Sequence, residues 1–386
     1  MKIIVLKFGG TSVGTLDRII KTSKIIISYI KKKYKVIVVT SAMSGVTNEL
    51  IKKAEKISKN FPKSERDVLL ATGEQMASAL IAGKLCDLGF DSRSWMSWQI
   101  PILTKGNYSS ARIIKIGTDQ IKKYLKKGGT PIITGFQGLN DENRITTLER
   151  GGSDASAIML AKFFKAKSCI IYTDVEGVYT TDPNLTKNAK KIKVLSYEEM
   201  LEMSSLGSKV MQPASIQDAK LNKIKIDVKS SFANKPGTKI IGRKKIKDIN
   251  IIRGVSFTKN DAKVSLLGVK DKPGVAAAIF EPLYKNSINV DMVVQNISSD
   301  GKETDLTFTI KSDDLLKTKK LISTNKKINF KKIIVDKNVA KVSIVGVGMI
   351  TTPGVTYRMF QALANKKINI LVISTSEIKI SVLIQR

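Results

Sequence analysis

The stretch that decides the fold is KFGGTS, residues 7–12, which follows directly on the apolar run at residues 3–6. A glycine pair between a short apolar strand and a helical pattern is typical of sheets whose strands alternate with helices. Backbone amides at such a turn can approach a phosphate closely, and Lys7 adds a positive charge for a transferring phosphoryl group. The spacing is not that of a Walker P-loop. Glycine pairs also occur in plain strand–helix connections, so this segment alone does not establish a site.

The alternation of strand and helix patterns continues through the first half of the chain. Apolar runs at 36–39, 131–135 and 168–172 predict further strands. Glu74 is predicted to open a helix whose apolar side carries Met76, Ala77, Leu80 and Ile81. Continuous apolar strands between helices predict an α/β fold with a mainly parallel sheet sandwiched by helices. Binding sites in such sheets lie at the carboxyl ends of the strands.

Length and composition exclude several classes of protein. The chain has 386 residues, 42% of them hydrophobic and 26% charged, which predicts two or three globular domains. No apolar run reaches the roughly 18–20 residues of a membrane span, and the N-terminal run is too short for a signal peptide. Cys86 and Cys169 lie far apart without CxxC spacing. Reduced structural thiols in a cytoplasmic protein are therefore expected.

The charge balance is unusual. Lys and Arg number 66 against 33 Asp and Glu, giving a formal net charge of +33. The lysines are spread through every segment, and no nucleic-acid motif or aromatic interleaving accompanies them, so a lysine-biased surface is favoured over a nucleic-acid partner. The chain contains no histidine, which excludes histidine bases, triads and metal ligands.

The last third contains an internal repeat. Residues 262–269 match 340–347 at an offset of 340 − 262 = 78, and two later blocks, beginning at Pro273 and Ile288, match at an offset of 80. Each copy predicts a small α+β module of strand, Pro-Gly loop, helix and two strands. Paired modules suggest small-ligand sites and regulation; a duplicated dimerisation domain without a ligand is the alternative.

A second glycine-rich segment, residues 150–154, precedes a helix predicted over 155–164. It offers another anion site, and Arg150 can form a bidentate pair with the carboxylate of an acidic substrate. Asp154 falls in the first helical turn, where capping alone would explain it.

Two polar segments follow other strands. Residues 40–47 carry small hydroxyl side chains suited to a pocket wall. Asp174 and Asp182 could orient a nucleotide or hold hydrated Mg²⁺, and Lys209 adds a cation. An ordinary Ser/Thr-rich loop, plain turns and a solvated lysine are the alternatives.

Taken in order, these segments resemble the amino-acid kinase family, and within it the aspartate kinases with paired ferredoxin-like ACT modules. The resemblance covers nearly the whole chain. It is carried by the sequences KFGGTS at 7–12, TSAMSGVTNEL at 40–50, TGEQMASALIA at 72–82, GFQG at 135–138, RGGSD at 150–154, YTDVEGVYTTDP at 172–183, GSKV at 207–210, QNIS at 295–298 and ISTSEIKISVLI at 373–384.

The resemblance implies transfer of the γ-phosphoryl group of MgATP to the β-carboxylate of L-aspartate, the first step in the synthesis of lysine, threonine and methionine. ATP and Mg²⁺ are the implied cofactors, and no metal site made of protein side chains alone is expected. The implied catalytic residues are Lys7, Asp174 and Lys209. The implied aspartate-binding residues are Ser41, Thr47, Glu74, Arg150 and Ser153. The implied nucleotide-binding residues are Lys7, Gly9, Gly10, Thr173, Asp174, Tyr179, Asp182 and Lys209.

The same resemblance implies domains and partners. A kinase domain is expected over 1–232, a basic connector over 233–250, a first ACT module over 262–336 and a second over 251–261 plus 337–386. Lysine, threonine or both are the implied effectors, and a homodimer through the ACT modules is expected, without a nucleic-acid or membrane partner. The implied effector-binding residues are Asp271, Asn289, Gln295, Thr356, Asn369 and Ser376.

The implied chemistry agrees with the missing histidines. The β-carboxylate of aspartate has a pKa near ~4 and is ionised at neutral pH, so it needs no general base. It needs relief of repulsion from an anionic phosphate, which lysines, backbone amides and Mg²⁺ supply.

Three positions depart from the family pattern. Glu149 replaces a usual glycine and could pair with Arg150, Asn184 replaces a usual Arg or Lys, and the chain ends at Arg386, soon after a predicted strand, where a helix usually follows. Two rival functions remain at this stage: a related kinase acting on glutamate, acetylglutamate or a nucleotide, and a non-catalytic amino-acid sensor.

Overall fold

The computed structural model describes residues 2–149, 151–206, 210–246, 250–297, 303–325 and 327–386. Arg150 and Lys209 of the expected site, with Gly207, Ser208 and Ser298 of the quoted motifs, lie outside the described residues. The chain divides into two compact units, Met1–Asp248 and Ile249–Arg386.

The first unit alternates strands and helices. Its strands are β1 (Ile3–Phe8), β2 (Lys35–Thr40), β3 (Ser92–Trp95), β4 (Ile102–Lys105), β5 (Arg112–Ile116), β6 (Thr130–Thr134), β7 (Gln137–Leu139), β8 (Ile145–Thr147), β9 (Cys169–Thr173), β10 (Val194–Ser196), β11 (Ile226–Ser230) and β12 (Thr238–Ile241). Its helices are α1 (Leu16–Lys31), α2 (Val46–Ile57), α3 (Lys63–Asp87), α4 (Asp119–Lys126), α5 (Gly152–Phe163), α6 (Tyr197–Ser205) and α7 (Pro213–Leu221).

The main sheet of this unit has the order β10-β12-β11-β9-β1-β2-β6-β3. All its pairs are parallel except β11 with β12, so the predicted mainly parallel sheet is confirmed. The apolar side chains of β1 and β2 are buried because helices cover both faces of the sheet. A smaller sheet has the order β5-β4-β7-β8. The carboxyl ends of β2, β1 and β9 therefore lie next to one another.

Two predictions about elements differ from the structure. Glu74 does not open a helix: it lies in the middle of α3, which begins at Lys63. Of the predicted apolar side, Ala77 and Ile81 are fully buried on the side that also carries Glu74, whereas Met76 and Leu80 are 42% and 38% exposed. Within the segment predicted as a basic connector over 233–250, residues 238–241 form β12 of the main sheet.

The second unit contains two antiparallel sheets of matching topology. Its strands are β13 (Gly254–Thr258), β14 (Asp261–Lys270), β15 (Val290–Ile297), β16 (Glu303–Lys311), β17 (Lys332–Asp336), β18 (Val339–Val345), β19 (Ile370–Ser376) and β20 (Lys379–Gln385). Its helices are α8 (Val275–Lys285), α9 (Leu315–Ser323) and α10 (Val355–Asn365). The orders β15-β16-β14-β17 and β19-β20-β18-β13 show that β13 occupies in one sheet the place that β17 occupies in the other. The bounds given above for the ACT modules remain predictions.

A charged cluster joins the two sheets of the second unit. Lys341 on β18 is 3% exposed and forms ion pairs with Asp291 on β15 and, at 3.6 Å, with Asp261 on β14. Lys311 pairs with the other oxygen of Asp261 at 2.8 Å. Lys341 and Asp261 are both buried, so loss of a single partner is costly, because a remaining charge would be desolvated without compensation.

Both cysteines are free thiols, with Cys169 buried and Cys86 exposed. Burial raises the pKa of the Cys169 thiol, which keeps it protonated and unreactive. A search of the described residues found no helix with the length and apolar character that crossing a membrane requires.

Candidate active site

Backbone hydrogen bonds join the loops at the carboxyl edge of the main sheet. The Gly9 amide donates to the Tyr172 carbonyl at 3.1 Å, and the Ser41 amide donates to the Phe8 carbonyl at 3.1 Å. The Gly135 amide donates to the Thr40 carbonyl at 3.0 Å. Four segments singled out in the sequence, 7–12, 40–47, 135–138 and 172–183, are therefore neighbours in space.

Two glycines allow these segments to approach. A Cβ at Gly10 would lie 3.0 Å from the Ala42 carbonyl oxygen. A Cβ at Gly135 would lie 2.9 Å from both the Thr40 carbonyl oxygen and the Ser153 Cβ. Side chains at these positions would be too close to their neighbours. Gly10 therefore lets the turn after β1 approach the loop after β2, and Gly135 lets the turn after β6 approach the end of β2 and the start of α5.

Lys7 and Asp154 form an ion pair at the centre of this edge. The Nζ–Oδ1 distance is 2.6 Å, and the side chains are 11% and 8% exposed. The sequence offered only helix capping as an explanation for Asp154. In the structure, Asp154 is the ion-pair partner of the Lys7 ammonium. Its place next to Ser153 in the RGGSD segment was the one feature of the sequence that could have indicated a role in the site.

Glu74 is a buried carboxylate with one engaged oxygen. Oε1 accepts a hydrogen bond from the Ala42 amide at 3.1 Å, and the residue is 3% exposed. Oε2 has no hydrogen-bond partner within the described part of the chain. Burial raises the pKa of Glu74 to about 7. A buried carboxylate with one oxygen lacking a partner is suited to bind a cationic group of a ligand.

The other residues expected on the aspartate side lie in the loop after β2, at the start of α2 and around the start of α5. Ser41 and Thr47 are half-buried, Ser153 is 7% exposed in the first turn of α5, and Glu149 is exposed. Arg150 lies outside the described residues, so the structure does not test the predicted pairing of Glu149 with it.

The strand leading toward residue 150 is anchored by Asp67, which the sequence did not single out. Asp67 on α3 is fully buried, and its carboxylate accepts four hydrogen bonds of 2.7–2.8 Å. The donors are the amide and hydroxyl groups of Ser109 and of Thr147. The same helix thus carries Glu74 and fixes the end of β8.

The residues expected on the nucleotide side follow β9. The Thr173 hydroxyl donates to Asp174 Oδ1 at 3.0 Å, and Asp174 is exposed. Tyr179 is half-buried and forms an antiparallel bridge with Lys191. Asp182 is exposed, and its Oδ1 accepts from the backbone amide of Asn184 at 2.9 Å, a bond that does not depend on the side chain at position 184.

A cavity of about 590 Å³ adjoins Thr173. It lies between the start of α1 and the end of β11 and is lined by Thr15, Asp17, Arg18, Lys21, Ser231 and Phe232. The Ser231 amide donates to the Thr173 carbonyl at 2.9 Å. The Arg18 guanidinium lies 3.7 Å from the centre of the Phe232 ring. No sequence pattern predicts this contact, since the two residues lie in segments without a shared motif.

The donor set suits phosphate with a hydrated cation better than a protein metal cage. Among the described residues, no group of three or more Asp, Glu, Cys or His side chains is arranged to hold a metal ion. Mg²⁺ is commonly bound through one or two carboxylates together with substrate phosphates and water, and the exposed carboxylate of Asp174 meets that requirement.

The expected effector residues fall at exposed positions in the second unit. Asp271 and Gln295 line a cavity of about 410 Å³ at the start of α8, together with residues 272–276. Asn289 is exposed and is not among the residues lining that cavity. Three further residues are also exposed: Thr356 in α10, Asn369 directly before β19, and Ser376 at the end of β19.

Comparison with known proteins identifies the class. Residues 2–230 match the amino acid kinase family, and residues 264–325 with 342–386 match an ACT domain. An aspartokinase of Bacillus sp. (strain MGA3) is 42% identical over 386 residues, which cover 100% of this chain and 94% of the relative. The chain therefore belongs to the amino acid kinase family, as an enzyme of its ATP-dependent aspartate kinase branch, and the resemblance drawn from the motifs is confirmed.

Solved structures agree with this assignment. E. coli aspartokinase III in complex with aspartate and ADP (R-state) has a TM-score of 0.82 and 25% identity, covering 100% of this chain and 96% of that one. The same E. coli enzyme in complex with lysine and aspartate (T-state) has a TM-score of 0.78 at 25% identity, with the same coverage. The predicted fold, an amino-acid kinase domain followed by ACT modules, is confirmed.

Proposed function

We propose that the protein transfers the γ-phosphoryl group of ATP to the β-carboxylate of L-aspartate, giving 4-phospho-L-aspartate, the first step toward lysine, threonine and methionine. The observation that carries this proposal is the shared sheet edge. Lys7 on β1 pairs with Asp154 on α5, and the buried Glu74 carboxylate accepts from Ala42 in the loop after β2. The Ser41 amide joins that loop to the end of β1 through the Phe8 carbonyl. The protein thus offers the positive charge of Lys7 to the phosphates of one substrate and the negative charge of Glu74 to the ammonium group of the other.

Aspartate binds on the α3 side of this edge. Glu74 Oε2 accepts from the α-ammonium group, which compensates the burial of the carboxylate. Arg150 holds the α-carboxylate through a bidentate pair, while Ser41, Thr47 and Ser153 contribute hydroxyl groups. The β-carboxylate is then directed toward the glycine pair at residues 9–10.

ATP binds on the β9 side. The amides of Gly9 and Gly10 and the Lys7 ammonium contact its phosphates, with Lys209 as a second cation. Asp154 keeps the Lys7 side chain in place, since the 2.6 Å ion pair fixes the ammonium at the end of its flexible stem. Thr173, Tyr179 and Asp182 contact the nucleoside.

Transfer requires charge neutralisation and alignment rather than proton abstraction. The aspartate β-carboxylate oxygen attacks the γ-phosphorus in line as the bond to the β,γ-bridging oxygen breaks and ADP leaves with the electron pair. Lys7 stabilises charge on the phosphoryl oxygens, and exclusion of water by the closely packed loops strengthens that interaction. Mg²⁺, bound near Asp174, supplies further neutralisation of the triphosphate.

Regulation is proposed to act through the second unit. Lysine, threonine or both would bind at Asp271 and Gln295 around the 410 Å³ cavity, and at Asn289, Thr356, Asn369 and Ser376. The structure of the E. coli relative in complex with lysine and aspartate (T-state) supports lysine as an effector. A homodimer through the ACT modules and a cytoplasmic location complete the proposal.

The test is aspartate-dependent release of ADP from MgATP, with the acyl phosphate trapped by hydroxylamine. We expect trapping with L-aspartate and none with glutamate or N-acetylglutamate. Lys7→Met should abolish trapping, whereas Lys24→Met, at an exposed position of α1, should not. Turnover of another carboxylate in preference to aspartate, or none in folded protein, would overturn the proposal.

A further inference from the structure

The loop between β9 and β10 contains no helix or strand, although Tyr179 and Asp182 of the proposed nucleotide site lie in it. Most of its residues from 181 to 191 are exposed. Such a loop depends on a few tethers for a defined position, because little apolar burial holds it.

Thr238 on β12 is buried and forms hydrogen bonds to both ends of this loop. Its Oγ1 accepts from the Val178 amide at 2.8 Å and donates to the Ile192 carbonyl at 2.6 Å. Thr238 is 0% exposed and Val178 1% exposed, so water cannot replace the hydroxyl. The Val178 carbonyl in turn accepts from the Ile192 amide at 2.8 Å, which closes the base of the loop.

The neighbouring residues are arranged around this hydroxyl. Gly177 has φ +152, and a Cβ there would lie 2.6 Å from Thr238 Oγ1, so the loop leaves room for the hydroxyl. Thr238 itself is fixed in the main sheet through its pairing with Val228. By contrast, the Glu176–Lys235 ion pair at 2.7 Å has an exposed lysine and is screened by salt.

We propose that Thr238 is a positioning residue for the nucleotide: its hydroxyl holds the base of the β9–β10 loop and thereby places Tyr179, the next residue after Val178, against the base or ribose of ATP. The inference rests on the proposed function, since it concerns the ATP side of the same site. Thr238 does not touch the substrates, and it acts only through the loop.

The test compares Thr238→Val, which keeps the shape but removes the hydroxyl, with Thr238→Ser, which keeps the hydroxyl. Loss of two buried hydrogen bonds predicts that Thr238→Val raises KM for ATP and the Kd for ADP about tenfold or more, with KM for aspartate changed less than about twofold. Thr238→Ser should restore both values. Thr318→Val is the matched control, because Thr318 is fully buried and its hydroxyl has no partner among the described residues.

Three outcomes would overturn the inference: an unchanged Kd for ADP in Thr238→Val, equal increases in both KM values, or a serine variant that behaves like the valine variant. The ADP measurement, made by calorimetry on the full chain, does not depend on turnover. An inactive wild-type protein whose ADP binding still depends on the Thr238 hydroxyl would therefore contradict the proposed reaction while supporting the positioning role.

Discussion

Glu74 shows how one residue can favour substrate binding while it lowers the stability of the ligand-free protein. Its carboxylate is 3% exposed and its pKa is raised to about 7 by burial. Without a ligand, the ionised form is poorly solvated. If Glu74 binds the aspartate ammonium group as proposed, the pairing removes that cost, and part of the binding energy for aspartate is then relief of desolvation.

The first prediction concerns stability against pH. Because the folded pKa of Glu74 lies above its ordinary value of 4.5, the folded state binds more protons than the unfolded state between pH 4.5 and about 7. This group therefore lowers the free energy of unfolding as pH rises through that window, by about 3 kcal/mol in all. Glu74→Gln should raise the stability of the ligand-free protein at pH 8 relative to wild type, and not at pH 5, in urea titrations.

The control for this prediction is Glu55→Gln, at an exposed position of α2, which should show no such pH dependence. The pH dependence of KM for aspartate provides a second measurement. In the wild type this KM should increase as pH falls below about 7, because protonated Glu74 no longer attracts an ammonium group. A glutamine variant that is less stable than wild type at both pH values would contradict the account.

At the scale of elements, α3 is the part of the fold that the sequence described least well. Strand positions were predictable because β-branched apolar runs at 3–6 and 36–39 occur where buried parallel strands need them. The buried side of α3 carries apolar residues, including the predicted Ala77 and Ile81, but also Asp67 and Glu74, which apolar periodicity does not place there. Asp67 and Glu74 accept hydrogen bonds from residues 32 to 80 positions away in the chain, which no local pattern reveals.

The second prediction tests the tie between α3 and β8. Asp67→Asn should lower the free energy of unfolding by about 2–4 kcal/mol, because an amide NH₂ would face N–H and O–H donors that now meet a carboxylate. It should also raise KM for aspartate more than KM for ATP, since Thr147 lies three residues before Arg150. Urea unfolding and initial-rate kinetics would measure both effects.

Asp87→Asn is the matched control, because Asp87 ends the same helix at an exposed position and pairs only with Lys84 among the described residues. It should change stability by less than about 0.5 kcal/mol, as surface ion pairs contribute little. Equal effects of the two substitutions would show that the Asp67 hydrogen bonds do not anchor the strand.

For the whole molecule, charge sets the conditions for association. Two copies that each carry a formal net charge of +33 repel one another. We therefore expect light scattering to show a dimer whose dissociation constant decreases as salt rises from about 50 to 300 mM, over which the Debye length shortens from roughly 14 to 6 Å. Binding to nucleic acid would show the opposite dependence, because salt weakens phosphate contacts. A monomer at every salt concentration would contradict the proposed dimer.

The global organisation was visible in the sequence to the extent that the chain repeats itself. Matched blocks at 262–269 and 340–347 correspond to β14 and β18, which occupy equivalent places in the two sheets. The resemblance placed residues 251–261 and 337–386 in one module, and β13 and β18 of those segments pair with each other. The position of β12 beside β10 in the kinase sheet, by contrast, depends on contacts such as that between Val194 and Lys239. In the same way, the Lys7–Asp154 and Thr238–Val178 contacts required the folded chain, because nothing in either segment specifies its partner.

The central place of β1 also bears on how the protein is made. β1 leaves the ribosome before both of its neighbours and can pair early with β2, but its other neighbour, β9, begins only at Cys169. At about 5–20 residues per second, that edge of the nascent sheet stays open for roughly 7–27 s in translation. During that time an apolar strand presents unpaired amide and carbonyl groups. Slowly translated codons before residue 169 should therefore increase aggregation of the nascent chain, whereas slowly translated codons after β11 should not.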